Sequence, residues 1–336
     1  MEPFGLGLMT VGLFVGFGLL IGTLFGFFGM GGSFLVTPGL LVLGYPAKVA
    51  VGSGLAFVFG TSVIGALRHR NLGQVDYALG MLMVVGMTVG IEFGSRLVFL
   101  LEAVGLAGTV VSVAYVGLLA GVGLFVLSDW REGDDGAGGG DREGDGSTGL
   151  AARIQGIRLW PVVSLRGDVT ASAWVVIVLG LGIGVLSGFL GVGGGFLLMP
   201  AMLYGLGVPA AIAVGTSIFQ ITLSGAYGSF VFAQQGAVDV PVVASLLLGS
   251  ALGARVGAGA THLVDEDEIK GYFAAMLLSG AVAVASKEVA GAYGVPVLHT
   301  LSVVLIFGTA VLVTGAILYA AVGALRQAEG EEPLSS

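Results

Sequence analysis

Gly191-Val192-Gly193-Gly194-Gly195-Phe196-Leu197, with Pro200 close behind, repeats a pattern first met at Gly29-Met30-Gly31-Gly32-Ser33-Phe34-Leu35 and Pro38. The shift is 162 residues (191 − 29). One residue later in register, Gly44-Tyr45-Pro46-Ala47 matches Gly207-Val208-Pro209-Ala210, and Ala50-Val51-Gly52-Ser53 matches Ala213-Val214-Gly215-Thr216. Further on, Gly73-Gln74-Val75-Asp76 matches Gly236-Ala237-Val238-Asp239, and Gly86, Gly90 and Gly94 match Gly249, Gly253 and Gly257. Shared glycines weigh little in a chain with 62 of them; two prolines in register weigh more, since the chain has only nine. Self-similarity of this kind decides architecture, and the reading is an internal duplication.

The stretches between these marks are apolar. Hydrophobic residues make up 56% of the 336-residue chain and charged ones 10%, with a mean hydropathy of +1.01. A soluble globule carries roughly 25% charged residues, so the solvent for most of this chain is lipid. The glycines sit inside apolar runs without a G-X-Y period, as in transmembrane helices packed backbone to backbone. With no cysteine, disulfides, thiolate metal sites and cysteine nucleophiles are excluded.

A bilayer core of about 30 Å takes roughly 20 apolar residues per helix. Such runs lie at 5–28, 49–67, 77–101 and 105–127, then at 173–190, 211–233, 240–263, 269–286 and 298–325. The expected fold is an all-α polytopic bundle: two homologous four-span repeats, each with a Gly-rich helix break, plus an extra C-terminal helix. Four spans per half implies parallel repeats, unless each broken segment adds a crossing. Two shorter stretches, 34–44 and 196–206, directly follow the glycine clusters and read as second halves of broken helices or as re-entrant segments. The N-terminus, Met1-Glu2-Pro3-Phe4, lacks a basic n-region, so the first run is expected to stay as a span.

The domain reading is a first transmembrane repeat over 1–127, a linker over 128–172, a second repeat over 173–287, an additional helix within 288–325 and an acidic tail over 326–336. Arg131 to Gly149 is almost wholly Gly, Asp, Glu, Arg, Ser and Thr, too poor in apolar surface to fold alone. The linker arginines and the Arg68–Arg70 loop would share one face, which the positive-inside rule makes cytoplasmic. Eight of the 21 acids fall between Asp129 and Asp168, and lysine is scarce. That balance fits a halophilic source or a GC-rich genome favouring arginine. The formal net charge is −8, and acidic loops speak against nucleic acid.

Unwound backbone inside a membrane is tolerated only where protein covers it or where it lines a polar cavity. Transporters use broken helices to aim backbone N–H groups and dipole ends at ions. Gly29, Gly31, Gly32 and Ser33, with Gly191, Gly193, Gly194 and Gly195, are therefore the first candidates for substrate binding. The competing reading is a turn or tight packing. Ser53 and the Thr216-Ser217 pair, with Gln220 one turn on, are candidate hydroxyl and amide donors; a hydroxyl bonded to its own helix is the ordinary alternative. Glu92, Arg96 and Arg255 are charges inside spans, read as charge-compensating or gating groups. Glu92 and Arg96 are spaced to pair on one helix, and Arg255 occupies Glu92's place in the second repeat. Asp76 and Asp239 open matching helices and read as N-caps. No nucleotide-binding motif, nucleophile–base–acid set or metal-ligand spacing is visible, so neither catalysis nor a cofactor is expected.

The doubled Gly-x-Gly-Gly-(Gly/Ser)-Phe…Pro cluster, the following Ala-Val-Gly-(Ser/Thr) and the Gly-x-Val-Asp before a glycine-striped helix resemble the TauE/SafE family of sulfite-exporter-like permeases. The likeness covers about 20–127 and 180–287. The first cluster departs from the pattern at Ser33, and Ser53-Gly54 stands where the second half has Thr216-Ser217. The resemblance implies a secondary carrier in a prokaryotic cell membrane for small sulfur-containing anions such as sulfite or sulfonates, with H+ or Na+ as a coupling ion. An anion channel and a non-transporting membrane scaffold are the alternatives.

Overall fold

A computed structural model describes residues 7–28, 32–69, 75–134, 160–164, 170–260 and 266–330. It is a helical protein. In chain order come α1 (Leu8–Phe28), a 3-10 turn (Gly32–Leu35), α2 (Val36–Val42), α3 (Ala47–His69), α4 (Tyr77–Ala103) and α5 (Ala107–Asp134). A hairpin of β1 (Val162–Ser164) and β2 (Thr170–Ser172) precedes α6 (Ala173–Leu190). Then follow α7 (Gly195–Pro200), a π turn (Ala201–Leu206), α8 (Ala210–Gln234), α9 (Val240–Ala260), α10 (Glu266–Tyr293) and α11 (Pro296–Gly330).

Seven described helices are long and apolar enough to cross a membrane. Two long helices fall outside that set, α3 and α8, which hold matching places in the 163-residue register. Both carry polar side chains that are buried: Ser53, Thr61 and Ser62 on α3, and Thr216, Ser217, Gln220 and Ser224 on α8. A helix covered by protein rather than lipid tolerates such residues. Several are satisfied within their own helix, as in Thr61 to the Phe57 carbonyl and Ser224 to that of Gln220.

Two compact units emerge. Unit 1 holds α1, most of α5 and α9, α10 and α11. Here Gly18, Gly22 and Gly26 of α1 lie against the backbone of Leu246, Ser250 and Ala254 of α9, while Gly249, Gly253 and Gly257 lie against Val15, Leu19 and Thr23. A β-carbon at any of the six would fall under 3.0 Å from backbone, so only glycine permits this approach. Partners rise together along both helices, which therefore run parallel. Phe17 and Phe307 stack 4.6 Å apart.

Unit 2 holds the 3-10 turn, α2, α3, α4, the hairpin, α6, α7, the π turn and α8. It contains the matching ladder. Gly86, Gly90 and Gly94 of α4 lie against Ile177, Leu181 and Val185 of α6, and Gly180, Gly184 and Gly188 of α6 against Met83, Met87 and Ile91. So α4 and α6 run parallel and begin at the same end. α8 also runs parallel to α4, since Gly80 meets Phe219 and Gly228 meets Ile91. Because α6 and α8 point the same way, residues 191–209 must carry the chain back between them.

That return adds the crossing which the four-span count left out. Accordingly α3 and α8 run antiparallel: Gly52 meets Phe232, Leu55 meets Gly228 and Phe59 meets Gly225. Within unit 2, then, the register-matched α3 and α8 are opposed in direction, where parallel repeats would point them the same way.

Inside 128–172, the segment read as a disordered linker, α5 continues to Asp134 and β1 pairs antiparallel with β2, Val163 opposite Ala171. Nothing halts the helix before Gly133, and β-branched Val162 and Val163 suit a strand. Residues 135–159 and 165–169 of that segment lie outside the described residues. Residues 288–293 belong to α10 and 326–330 to α11. The break falls where Gly294 takes a φ of 64° and Pro296 opens the next helix, a favoured first position for proline.

Candidate functional site

The second break forms the best-defined part of the site. α6 stops at Leu190, where Gly191 turns left-handed at φ 75° and its N–H bonds the Ser187 carbonyl at 2.7 Å. Gly193 at φ 68° and Gly194 at φ 80° follow, and Gly195 opens α7. A residue with a β-carbon pays about 1–2 kcal/mol for each such conformation. All five residues from Gly191 to Gly195 are buried.

The surroundings also require glycine. A β-carbon at Gly191 would sit 2.6 Å from the Val51 carbonyl oxygen of α3, and one at Gly193 would press on Val58. One at Gly194 would meet Ile183 at 3.0 Å and Met87 at 3.1 Å. The first break approaches from the other side. Phe34 of its 3-10 turn stacks on Phe196 with centroids 5.8 Å apart, and buried Thr37 places its hydroxyl 3.5 Å from the Gly191 carbonyl oxygen. Gly54 leaves room for that meeting, since its β-carbon would fall 2.8 Å from the same oxygen. Of the first cluster itself, Gly29 and Gly31 lie outside the described residues. Gly32 and Ser33 begin the 3-10 turn.

Gln220 of α8 is fully buried. Its Nε2 has only the Met202 sulfur at 4.0 Å, and its Oε1 has no partner. A buried carboxamide left so poorly satisfied costs stability, and a polar ligand would repay it. Ser217 donates to the Val214 carbonyl within its own helix.

Thr216 and Ser53 have a structural duty. The Thr216 Oγ1 accepts the Asp76 N–H at 2.9 Å, and the Ser53 Oγ accepts the Asp239 N–H at 3.0 Å. The two bonds match across the register, each tying one half's helix start to the other half. Both aspartates cap as read from the sequence, Asp76 accepting from Ala78 and Leu79 and Asp239 from Val242. The two hydroxyls are not brought together. Ser53 follows Gly52, which abuts Phe232, and Phe232 lies 16 residues beyond Thr216 on α8, roughly 24 Å at 1.5 Å per residue.

Glu92 and Arg96 pair on α4, with the Arg96 Nη2 2.8 Å from Glu92 Oε1. The residue that sequence reasoning missed is Tyr227 of α8, whose hydroxyl donates to Glu92 Oε2 at 2.9 Å. Nothing in a tyrosine on an apolar helix announces such a bond, which depends on α8 lying beside α4. Arg255, in unit 1, is exposed on α9. Lys48 and Glu102 pair at 3.3 Å where α3 begins and α4 ends. Nearby, Tyr45 has its phenol pushed above its ordinary range, first by burial and then by the charge of Asp239. Another unforeseen pair joins Lys287 to Glu288 on α10 at 2.7 Å. Among the described residues no group of His, Asp and Glu is placed to hold a metal ion.

Comparison with known proteins agrees with this picture of a membrane protein. A family model described as "Sulfite exporter TauE/SafE" matches residues 14–284. A probable membrane transporter protein of Xylella fastidiosa (strain 9a5c) is 26% identical over 245 residues, covering 72% of this chain and 82% of its own. The probable membrane transporter protein YdhB of Bacillus subtilis (strain 168) is 25% identical over 266 residues, covering 79% and 94%. YjnA of the same strain, another probable membrane transporter protein, is 26% identical over 252 residues, covering 71% and 86%. No solved structure gives a significant match.

Proposed function

The chain belongs to the TauE/SafE sulfite-exporter family, a family of membrane transporters, and on that premise we propose that it is a secondary carrier for small sulfur oxyanions in the cell membrane. The observation that carries the reading is the run of three left-handed glycines, Gly191, Gly193 and Gly194, buried between two helices. Backbone without side chains lets a small anion approach amide groups directly, and broken helices serve this purpose in other carriers. Gln220 adds a buried carboxamide short of partners. With the Gly191 N–H already bonded to the Ser187 carbonyl, the donors of this reading are the Gly193 and Gly194 amides and the Gln220 carboxamide. The return segment 191–209 and the antiparallel pair α3 and α8 are the elements expected to shift as access alternates.

The test uses purified full-length protein. Thermal unfolding is followed with sulfite, sulfate, thiosulfate, taurine, sulfoacetate and unrelated anions. A ligand that binds only the folded state raises stability by RT ln(1 + [L]/Kd), about 2.7 kcal/mol at a hundredfold excess over Kd. A saturable shift with a sulfur anion, lost in Gly194→Leu, is expected. In proteoliposomes, saturable sulfite flux distinguishes a carrier from a channel. Folded protein that no sulfur anion stabilises refutes the substrate class.

A further inference from the structure

We propose that Glu92 is a proton-binding site of the transport cycle, whose protonation loosens α8 from α4. This rests on the carrier reading above. Glu92 lies within the candidate span Tyr77–Ala103, and both of its carboxylate oxygens are engaged. Oε2 accepts from Tyr227 of α8 at 2.9 Å, and Oε1 accepts from the Arg96 Nε at 2.8 Å. The groups around it are few. α6 has no titratable side chain, and α8 offers Tyr227 alone. α3 contributes Lys48, already paired with Glu102, and carries Arg68 and His69 at its other end. On α4 itself stand Tyr77 at its start, Arg96 and Glu102.

The packing makes this carboxylate matter. α4 is held to α6 by a ladder of glycine backbone contacts, which a proton cannot alter. Among the described residues it has polar ties to α8 through the Asp76 N–H on Thr216 and through Tyr227 on Glu92. Only the second ends on a carboxylate that a proton can neutralise. When one proton adds to the carboxylate, its charge goes from −1 to 0. The phenol bond becomes a neutral one, about half as strong as the charge-assisted bond, and the Arg96 ion pair is lost. Nothing else is consumed, and the reverse step returns the proton to water. The affected helix also carries Thr216, Ser217 and Gln220.

Glu92 is not sealed inside the helix packing, since 35% of its side chain and 71% of the Arg96 side chain are exposed. The device also occurs once. In the other half, the register puts Arg255, Ile64 and Gly259 where Glu92, Tyr227 and Arg96 stand, so no second carboxylate opposes it.

The test reads the carboxyl group directly and needs no substrate. Full-length protein in liposomes is titrated from acid to alkaline pH by infrared difference spectroscopy, following the protonated carboxyl C=O stretch. The expected result is a titrating band absent from Glu92→Gln and kept in Glu102→Gln. In Tyr227→Phe the band should titrate at higher pH, because a bond to the charged form is gone. Radiolabelled sulfite flux should respond to an imposed pH gradient in the wild type and not in Glu92→Gln. A Glu92 that stays ionised throughout in folded protein overturns the proposal, as does a gradient response that survives Glu92→Gln. A titrating, Tyr227-dependent band in protein that moves no sulfite sinks the substrate reading and leaves the proton site standing.

Discussion

Two glycines on α6, two residues apart, should respond to the same substitution in opposite directions. At Gly184 an alanine β-carbon would sit 2.6 Å from the Met87 Cα and 2.9 Å from its carbonyl carbon. Ordinary contact begins near 3.4 Å, so α4 and α6 would have to part by roughly 0.8 Å, a shift shared by the whole six-glycine ladder. Overpacking of this kind costs about 1–3 kcal/mol. Replacing a helical glycine by alanine returns about 1 kcal/mol, leaving Gly184→Ala destabilised by up to about 2 kcal/mol. At Gly182 nothing lies within 4 Å, so Gly182→Ala keeps only the helix-propensity gain and should be neutral or slightly stabilising. The assay is thermal unfolding of purified protein in detergent, where about 2–4 °C accompanies each kcal/mol in a unit of this size. Equal responses at the two positions would refute the backbone-to-backbone packing, and with it the parallel course of α4 and α6.

Two further outcomes follow from the register-matched ends of the molecule. Thr216→Val removes the hydroxyl that accepts the buried Asp76 N–H at 2.9 Å and should cost about 1–3 kcal/mol, with Thr216→Ser restoring most of it in the same unfolding assay. The Tyr45 phenol titrates above its ordinary value, so its contribution to stability is complete below the unfolded pKa near 10 and fades as pH climbs through the raised folded value. Because burial is the larger cause and Asp239 the second, Asp239→Asn should lower the midpoint only part of the way, read as phenolate absorbance against a Tyr45→Phe reference.

The sequence made the helices and the breaks visible for a plain physical reason. Lipid demands long apolar runs, and the runs at 77–101 and 173–190 became α4 and α6 almost unchanged. Glycine triplets inside them had to end a helix, as Gly191 does. The caps at Asp76 and Asp239 were equally legible, since an aspartate before an apolar run satisfies free N–H groups wherever the helix goes. What stayed hidden depended on neighbours. Ser53 and Thr216 read as two donors for one ligand, yet helix direction separates them and gives each a backbone N–H to accept. Tyr227 carries no signal in the sequence, because only α8 lying beside α4 brings its hydroxyl to Glu92.

Direction is the common thread. A one-dimensional pattern counts spans by length, and 196–206 was too short to count. The three left-handed glycines just before it and the π turn within it let a short segment reverse the chain, at the cost of regular helix geometry. That reversal between α6 and α8 sets α3 against α8 in opposite senses. It also places the Asp76–Thr216 and Asp239–Ser53 bonds at opposite ends of α8 instead of around a single centre. A carrier must close first one side and then the other, and matched ties at both ends of one polar helix give it two equivalent places to do so. Only one of those ends lies beyond a titratable latch, so a proton acting at Glu92 can favour one closure over the other where a symmetric pair of ties would not.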